Sequence, residues 1–144
     1  MKFESKGAQL KGSSARLFVI DDEPSIRSAI SRFLSRRGWE VEEAADGLEA
    51  LHTLERSEPG YYDVVLTDLH MPNCSGIELY RGLLSSRPDL VRRLVFSSGD
   101  VASEDASTFL ASSSRPVIEK PFELARLEEV FRAVVDDVRS ADVH

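Results

Sequence analysis

The stretch Asp63-Val-Val-Leu-Thr-Asp68-Leu-His-Met-Pro72 decides the fold of this chain. Its apolar run, Val64 to Leu66, is long enough for a buried strand and too short for a helix. A turn signal follows at residues 71–73, and Ser75-Gly-Ile-Glu78 then has the capping-box pattern that opens helices. Asp68 therefore lies where a buried strand ends in a loop. Ligands of open α/β sheets bind at the carboxyl ends of the strands, so Asp68 is a candidate site residue, although a lone Asp more often caps a loop.

The same rhythm, a short apolar run followed by an amphipathic segment, recurs along the whole chain. Besides 64–66, apolar or alternating runs predict strands at residues 17–20, 39–44, 94–96 and 116–118. Helical spacing predicts helices from Pro24 to Gly38, from Asp46 onward, from 75 to 86, around 109–111, and from Phe122 through Val134. Five strand–helix units imply right-handed crossovers and a mostly parallel sheet covered on both faces.

The length of 144 residues suits one domain. We assign the domain to residues 16–138. Residues 1–15 are polar and rich in Gly and Ser, which predicts a flexible tail or linker, and residues 139–144 are expected to form a second tail.

Charge and composition exclude several function classes. The formal net charge is −7, which argues against direct binding to nucleic acid. No apolar run approaches the length of a membrane span, and no hydrophobic signal core follows the N-terminal lysines, so we expect a cytoplasmic protein without direct membrane contact. Cys74 is the single cysteine, and no His/Asn set marks it as a nucleophile; we interpret it as structural.

Polar side chains stand at the ends of four predicted strands: Asp21 and Asp22 after the first, Asp68 after the third, Ser98 after the fourth and Lys120 after the fifth. The carboxyl ends of parallel strands share one edge, so these side chains can converge there. Three carboxylates repel one another, and a hard cation such as Mg²⁺ relieves that repulsion. A carboxylate can itself accept a phosphoryl group, which a lysine and a hydroxyl would stabilise. Each residue alone has a commoner structural role; the combination is specific.

These residues resemble the motifs of response-regulator receiver domains. The resemblance rests on Asp21-Asp22, on Asp68 in Leu-Thr-Asp-Leu-His-Met-Pro, on Ser98 in Phe-Ser-Ser-Gly and on Lys120-Pro121-Phe122. It implies a flavodoxin-like (βα)5 three-layer sandwich with five parallel strands in the order 2-1-3-4-5. It also implies a phosphoacceptor domain of two-component phosphorelay signalling, a switch that phosphorylates and dephosphorylates itself rather than an enzyme acting on other substrates.

The resemblance implies specific roles at the acidic end of the site. Asp68 would take the phosphoryl group from the phosphohistidine of a histidine kinase or a histidine phosphotransfer protein. Asp22 and Asp68, with the backbone carbonyl of His70, would hold Mg²⁺, and Asp21 would act through a metal-bound water.

The resemblance assigns the grip on the phosphoryl group to Ser98 and Lys120, with a cis Lys120-Pro121 bond, which proline makes accessible. Ser97 is the alternative hydroxyl. The interval from Ser98 to Lys120 is the one that the family usually shows, and from Ser97 it is one residue longer. We therefore choose Ser98, with Gly99 as the small neighbour that gives access to the phosphoacceptor, and keep Ser97 open.

The chain departs from the family pattern at Val117, where the family often has an aromatic switch residue. We therefore expect the signal to reach the face formed by the fourth helix, the fifth strand and the last helix through backbone displacement. That face is also the expected surface for a partner or a homodimer. The resemblance also places His70 and Asp100 at the positions that tune the lifetime of the phosphoryl group in the family.

Two settings and two rival functions stay open. Phe109-Leu110 and residues 116–122 look most like receivers of hybrid sensor kinases, and no effector domain fits after Val138; we expect either such a receiver or a stand-alone one. A haloacid-dehalogenase-like phosphatase would need an Asp at position 70, which is His70. A degenerate receiver that only scaffolds partners would lack an acid or the lysine, and neither is missing.

Overall fold

The computed structural model describes residues 14–143, with side chains through residue 141, so most of the tail predicted for residues 1–15 lies outside the described residues. The five predicted strand–helix units are all present, and one additional short helix follows the third unit. The strands are β1 (Arg16–Ile20), β2 (Glu40–Ala44), β3 (Val64–Asp68), β4 (Leu94–Ser98) and β5 (Val117–Glu119). The helices are α1 (Pro24–Ser35), α2 (Gly47–Arg56), α3 (Gly76–Ser86), α4 (Pro88–Val91), α5 (Glu104–Ser113) and α6 (Leu124–Val143). None of these helices combines the length and the apolar composition needed to cross a membrane.

The strands form one parallel sheet in the order β2-β1-β3-β4-β5. This confirms the predicted flavodoxin-like fold and its strand order. All five residues of β3 are buried, as expected for the central strand of a parallel sheet with helices on both faces. Asp68, the last residue of β3, therefore lies at the middle of the edge where the carboxyl ends of the strands meet.

Alternation along the strands divides the core into two layers. Val64 and Leu66 of β3 face α1 and α6, where they join Ile30 and Phe131 in one apolar cluster. Val65 faces the opposite side, where α2, α3 and α5 supply a second cluster. The helices thus cover both faces of the central strands, and polar side chains emerge at the edge where the strands end.

Local capping fixes where the helices begin beside that edge. Ser75 Oγ accepts a hydrogen bond from Glu78 N at 3.1 Å, and Glu78 Oε1 accepts one from Ser75 N at 2.8 Å, so the predicted capping box is complete at α3. At α2, Asp46 Oδ1 accepts from Glu49 N at 2.8 Å. Pro24 is the first residue of α1, where its missing N–H costs nothing.

Several boundaries differ from the prediction. Pro88 was expected only to end a helix, but it opens the short helix α4, because proline suits a first helical turn; the predicted fourth helix is therefore α5. The last helix begins at Leu124 and continues to Val143, beyond the domain boundary predicted at 138. Ala15 is fully buried, and its carbonyl accepts from Glu40 N at 3.0 Å, so the packed chain begins just before 16.

Candidate functional site

Three carboxylates converge at the centre of the sheet edge. Asp21 and Asp22 follow β1, Asp68 ends the adjacent strand β3, and one oxygen of each lies within 4.8 Å of the others. Asp21 and Asp68 are buried, and Asp22 is exposed. The predicted convergence of these acids is confirmed, and the exposed member opens the cluster to solvent.

Lys120, just after β5, reaches across the edge into this cluster. Its Nζ donates to Asp68 Oδ2 at 2.8 Å and to Asp21 Oδ2 at 3.0 Å. Burial alone would lower the pKa of Lys120, but the hydrogen bonds to Asp68 and Asp21 and their negative charges outweigh it and raise that pKa above its usual value. Lys120 is therefore positively charged throughout the neutral pH range.

Glu23 is a member of the site that the sequence did not single out. Its Oε1 accepts from Lys120 Nζ at 3.3 Å, and its side chain is 57% exposed. Its place in the acidic run 21–23 was the available signal, but a glutamate just before Pro24 has the usual appearance of a helix start. It adds a fourth negative charge at the solvent side of the lysine.

Hydrogen bonds and close packing constrain the backbone around Asp68. Its Oδ1 accepts from His70 N at 3.2 Å. A Cβ at Gly76 would lie 2.4 Å from the backbone oxygen of Asp68, so only glycine lets α3 begin this close to the end of β3. Gly76 N in turn donates to the carbonyl of Leu69 at 3.0 Å. The loop between β3 and α3 is thus fastened at both ends, and it holds the carboxylate in place.

Ser97 and Ser98 are both buried at the end of β4, on opposite faces of the sheet. Ser97 is the register partner of Asp68. Ser98 uses its hydroxyl to accept from Asp100 N at 3.0 Å, and its carbonyl accepts from Lys120 N at 2.8 Å. Ser98 is therefore hydrogen-bonded to the loop that leads into α5 and to the backbone of Lys120. Ser97 is instead the residue paired with Asp68 across the sheet.

The donor set fits a hard divalent cation. Three carboxylates carry more negative charge than the single ammonium of Lys120 can balance, and their oxygens lie close enough to share one ion. Carboxylate oxygens with access for water are the ligands that Mg²⁺ prefers. Asp21, Asp22 and Asp68 are the acids that would hold it, and the contribution of the His70 backbone carbonyl stays a prediction.

The remaining features predicted near the site also have places. The Lys120-Pro121 bond is cis, as expected. Val117 on β5 is 37% exposed and carries no ring, while an aromatic cluster of Tyr80, Phe96 and Phe109 joins α3, β4 and α5 instead.

Cys74 is buried, and burial raises the pKa of its thiol, which agrees with a structural role.

Comparison with known proteins gives one consistent result. The family model of the response regulator receiver domain matches residues 17–132. The sensor kinase CckA of Brucella abortus (strain 2308) is 33% identical over 91% of this chain and 13% of its own length. The response regulator MprA of Mycobacterium bovis (strain BCG / Pasteur 1173P2) is 34% identical over 90% of this chain and 54% of its own. The chain thus spans about half, or less, of these relatives.

Among solved structures, a CheY-like response regulator receiver domain protein from Methanospirillum hungatei JF-1 has the same fold. The TM-score is 0.79 at 26% sequence identity, over 90% of this chain and 99% of that one.

Proposed function

The chain belongs to the response-regulator receiver family, the phosphoacceptor domains of two-component signalling, and on that footing we propose that Asp68 is its phosphoacceptor. One observation carries the assignment. Asp68 ends the central strand and lies 2.8 Å from a fixed ammonium, within a cluster of acids that fits a divalent cation. No acid or lysine of the cluster is missing, so nothing favours a degenerate scaffold.

We propose that the donor is a phosphohistidine. A carboxylate oxygen of Asp68 attacks the phosphorus, the new O–P bond forms, and the N–P bond breaks. The released imidazole nitrogen keeps the electron pair of that bond and takes up a proton. The ammonium of Lys120 lies where it can pair with a phosphoryl oxygen, and the hydroxyl of Ser98 would donate to another. Mg²⁺ held by the acid cluster would supply further positive charge for the phosphoryl oxygens.

The partners and setting are part of the same proposal. Phosphohistidine is carried by a histidine kinase or by a histidine phosphotransfer protein, and one of these is the expected donor. The curated relatives include both a sensor kinase and a response regulator. This receiver domain therefore fits a hybrid kinase as well as a separate regulator. The face formed by α5, β5 and α6, with Val117 exposed on it, is the proposed surface for a downstream partner or a homodimer.

Phosphorylation by a small-molecule donor tests the assignment without knowledge of the kinase. The protein is incubated with acetyl phosphate and Mg²⁺, and the gain of one phosphoryl group is followed by intact mass. Asp68→Asn keeps the shape of the side chain and removes the nucleophile, so it should gain none. Asp105→Asn, an exposed acid on α5, is the matched control and should react as the wild type does. Equal reaction of Asp68→Asn and the wild type would show that the phosphoacceptor is another residue.

A further inference from the structure

Arg27 lies one turn into α1 and folds its side chain back toward the acid cluster without touching a carboxylate of that cluster. Its Nη1 donates to the backbone carbonyl of Asp21 at 2.6 Å, and its Nε pairs with Glu43 Oε1 at 3.2 Å. Ser31 Oγ donates to the other oxygen of Glu43 at 2.9 Å. The Arg27 side chain is only 17% exposed, and its guanidinium is held between the acidic loop and β2.

The carbonyl that Arg27 holds belongs to the peptide that joins Asp21 to Asp22. The other polar groups of Asp21 are also held: its N–H donates to Ala44 O at 3.2 Å, Oδ1 accepts from Glu23 N at 2.9 Å, and Oδ2 accepts from Lys120 Nζ. The contact of Arg27 therefore fixes the orientation of one peptide plane. That plane sets where the Asp22 carboxylate stands relative to that of Asp21.

We propose that Arg27 is a positioning residue for the divalent cation site, acting through the peptide between Asp21 and Asp22. The inference rests on the proposed function, because the cation site is part of it. Partners outside the ligand shell orient ligands in this way, and their loss commonly weakens metal binding. The sign of the effect is diagnostic, because a positive charge near a cation site opposes cation binding. Loss of that charge alone would strengthen Mg²⁺ binding, whereas loss of positioning weakens it.

Isothermal titration with MgCl2, without any phosphodonor, measures the effect directly. Arg27→Gln is expected to weaken Mg²⁺ binding by about tenfold relative to the wild type. Arg32→Gln, an exposed arginine on the same helix, removes the same charge and is expected to leave the affinity unchanged. Unchanged or tighter Mg²⁺ binding by Arg27→Gln would overturn the proposal. Failure of the wild type to bind Mg²⁺ would instead overturn the metal site of the proposed function.

A second measurement separates positioning from a general loss of structure. In phosphorylation by acetyl phosphate, the Mg²⁺ concentration for half-maximal rate should rise in Arg27→Gln, while the rate at saturating Mg²⁺ stays near that of the wild type. A lowered plateau with an unchanged midpoint would contradict positioning.

Should Arg27→Gln fail to fold, Arg27→Lys decides, because it keeps the positive charge but lacks the planar guanidinium that holds the Asp21 carbonyl and Glu43 together. Weaker Mg²⁺ binding supports the proposal, and wild-type affinity overturns it.

Discussion

At the scale of single residues, the charge balance of the site depends on Lys120. It is the cation that Asp21, Asp68 and Glu23 share in the described part of the chain. Its raised pKa means that its stabilising contribution is fully present at neutral pH and is lost only as the pH rises through that raised value. A cation bound by these carboxylates would neutralise part of the same negative charge.

Replacing Lys120 by Met should show whether a bound cation can compensate for the lost ammonium. The variant leaves two buried carboxylates without their cation, so we expect the free energy of unfolding at neutral pH to fall by about 3 kcal/mol. Saturating Mg²⁺ should restore more stability to this variant than it adds to the wild type, since the ion compensates the unpaired charges. Urea unfolding with and without Mg²⁺ measures both. An equal Mg²⁺ effect in the two proteins would mean that the lysine and the ion do not share ligands.

The choice between Ser98 and Ser97 is also a question for single residues. Ser98→Ala should slow phosphorylation by acetyl phosphate by about tenfold, because it removes the hydroxyl that we propose donates to the phosphoryl group. Ser97→Ala should react at nearly the wild-type rate, although Ser97 is the register partner of Asp68. Rates from intact mass over time distinguish them. The reverse pattern, a slow Ser97→Ala and a normal Ser98→Ala, would reassign the hydroxyl to Ser97.

At the scale of elements, the buried carboxylate of Glu128 fastens α6 to the turn between α1 and β2. It accepts from Trp39 Nε1 at 3.1 Å and from Arg132 at 3.0 Å, and it pairs with Arg37. Burial would raise the pKa of Glu128, but these three donors outweigh it and lower that pKa. The stabilisation is therefore present above the ordinary pKa of glutamate and is lost as the pH falls through the lowered value.

Glu128→Gln should cost about 3 kcal/mol of unfolding free energy at neutral pH, because the donors lose their charged acceptor. The difference from wild type should shrink in acid, once the wild-type carboxyl is itself protonated. Glu129→Gln is the control, since Glu129 is a largely exposed neighbour on the same helix. Denaturant unfolding at neutral and acidic pH measures the effect. A difference that is the same at both pH values would show that the charge of Glu128 contributes nothing.

At the scale of the whole molecule, short local patterns predicted the parallel sheet and the convergence at its edge, whereas the strand order was predictable only from the resemblance to receiver domains. Asp68, Asp21-Asp22 and Lys120 each follow an apolar run, and a parallel sheet brings such positions together. The contacts of Glu23 and Arg27 were not predictable, because they depend on how α1 leaves the sheet edge. The faces of Ser97 and Ser98 likewise depend on where β4 begins, which sequence patterns locate least well.

The path of the signal is the prediction that involves the whole molecule. Phosphoryl oxygens at Asp68 would draw Ser98 toward them, and Ser98 is bonded to Asp100 at the start of the loop before α5. Val117 has no aromatic ring whose rotation could transmit the change. We therefore expect the backbone of residues 99–111 to be displaced. We expect beryllofluoride with Mg²⁺ to change amide exchange in that segment.

Ser98→Ala supplies the control for this path, since it should bind beryllofluoride without passing the change to residues 99–111. Changes confined to the loop after Asp68, or full transmission by Ser98→Ala, would refute the path.

The central claim is that Asp68 alone carries the phosphoryl group. Its most direct test is to phosphorylate the protein with acetyl phosphate and Mg²⁺, reduce the acyl phosphate with borohydride, and map the resulting homoserine by peptide mass spectrometry. The account predicts homoserine at position 68 and at no other aspartate. Homoserine at Asp21, Asp22 or any other aspartate, with Asp68 intact, would contradict it.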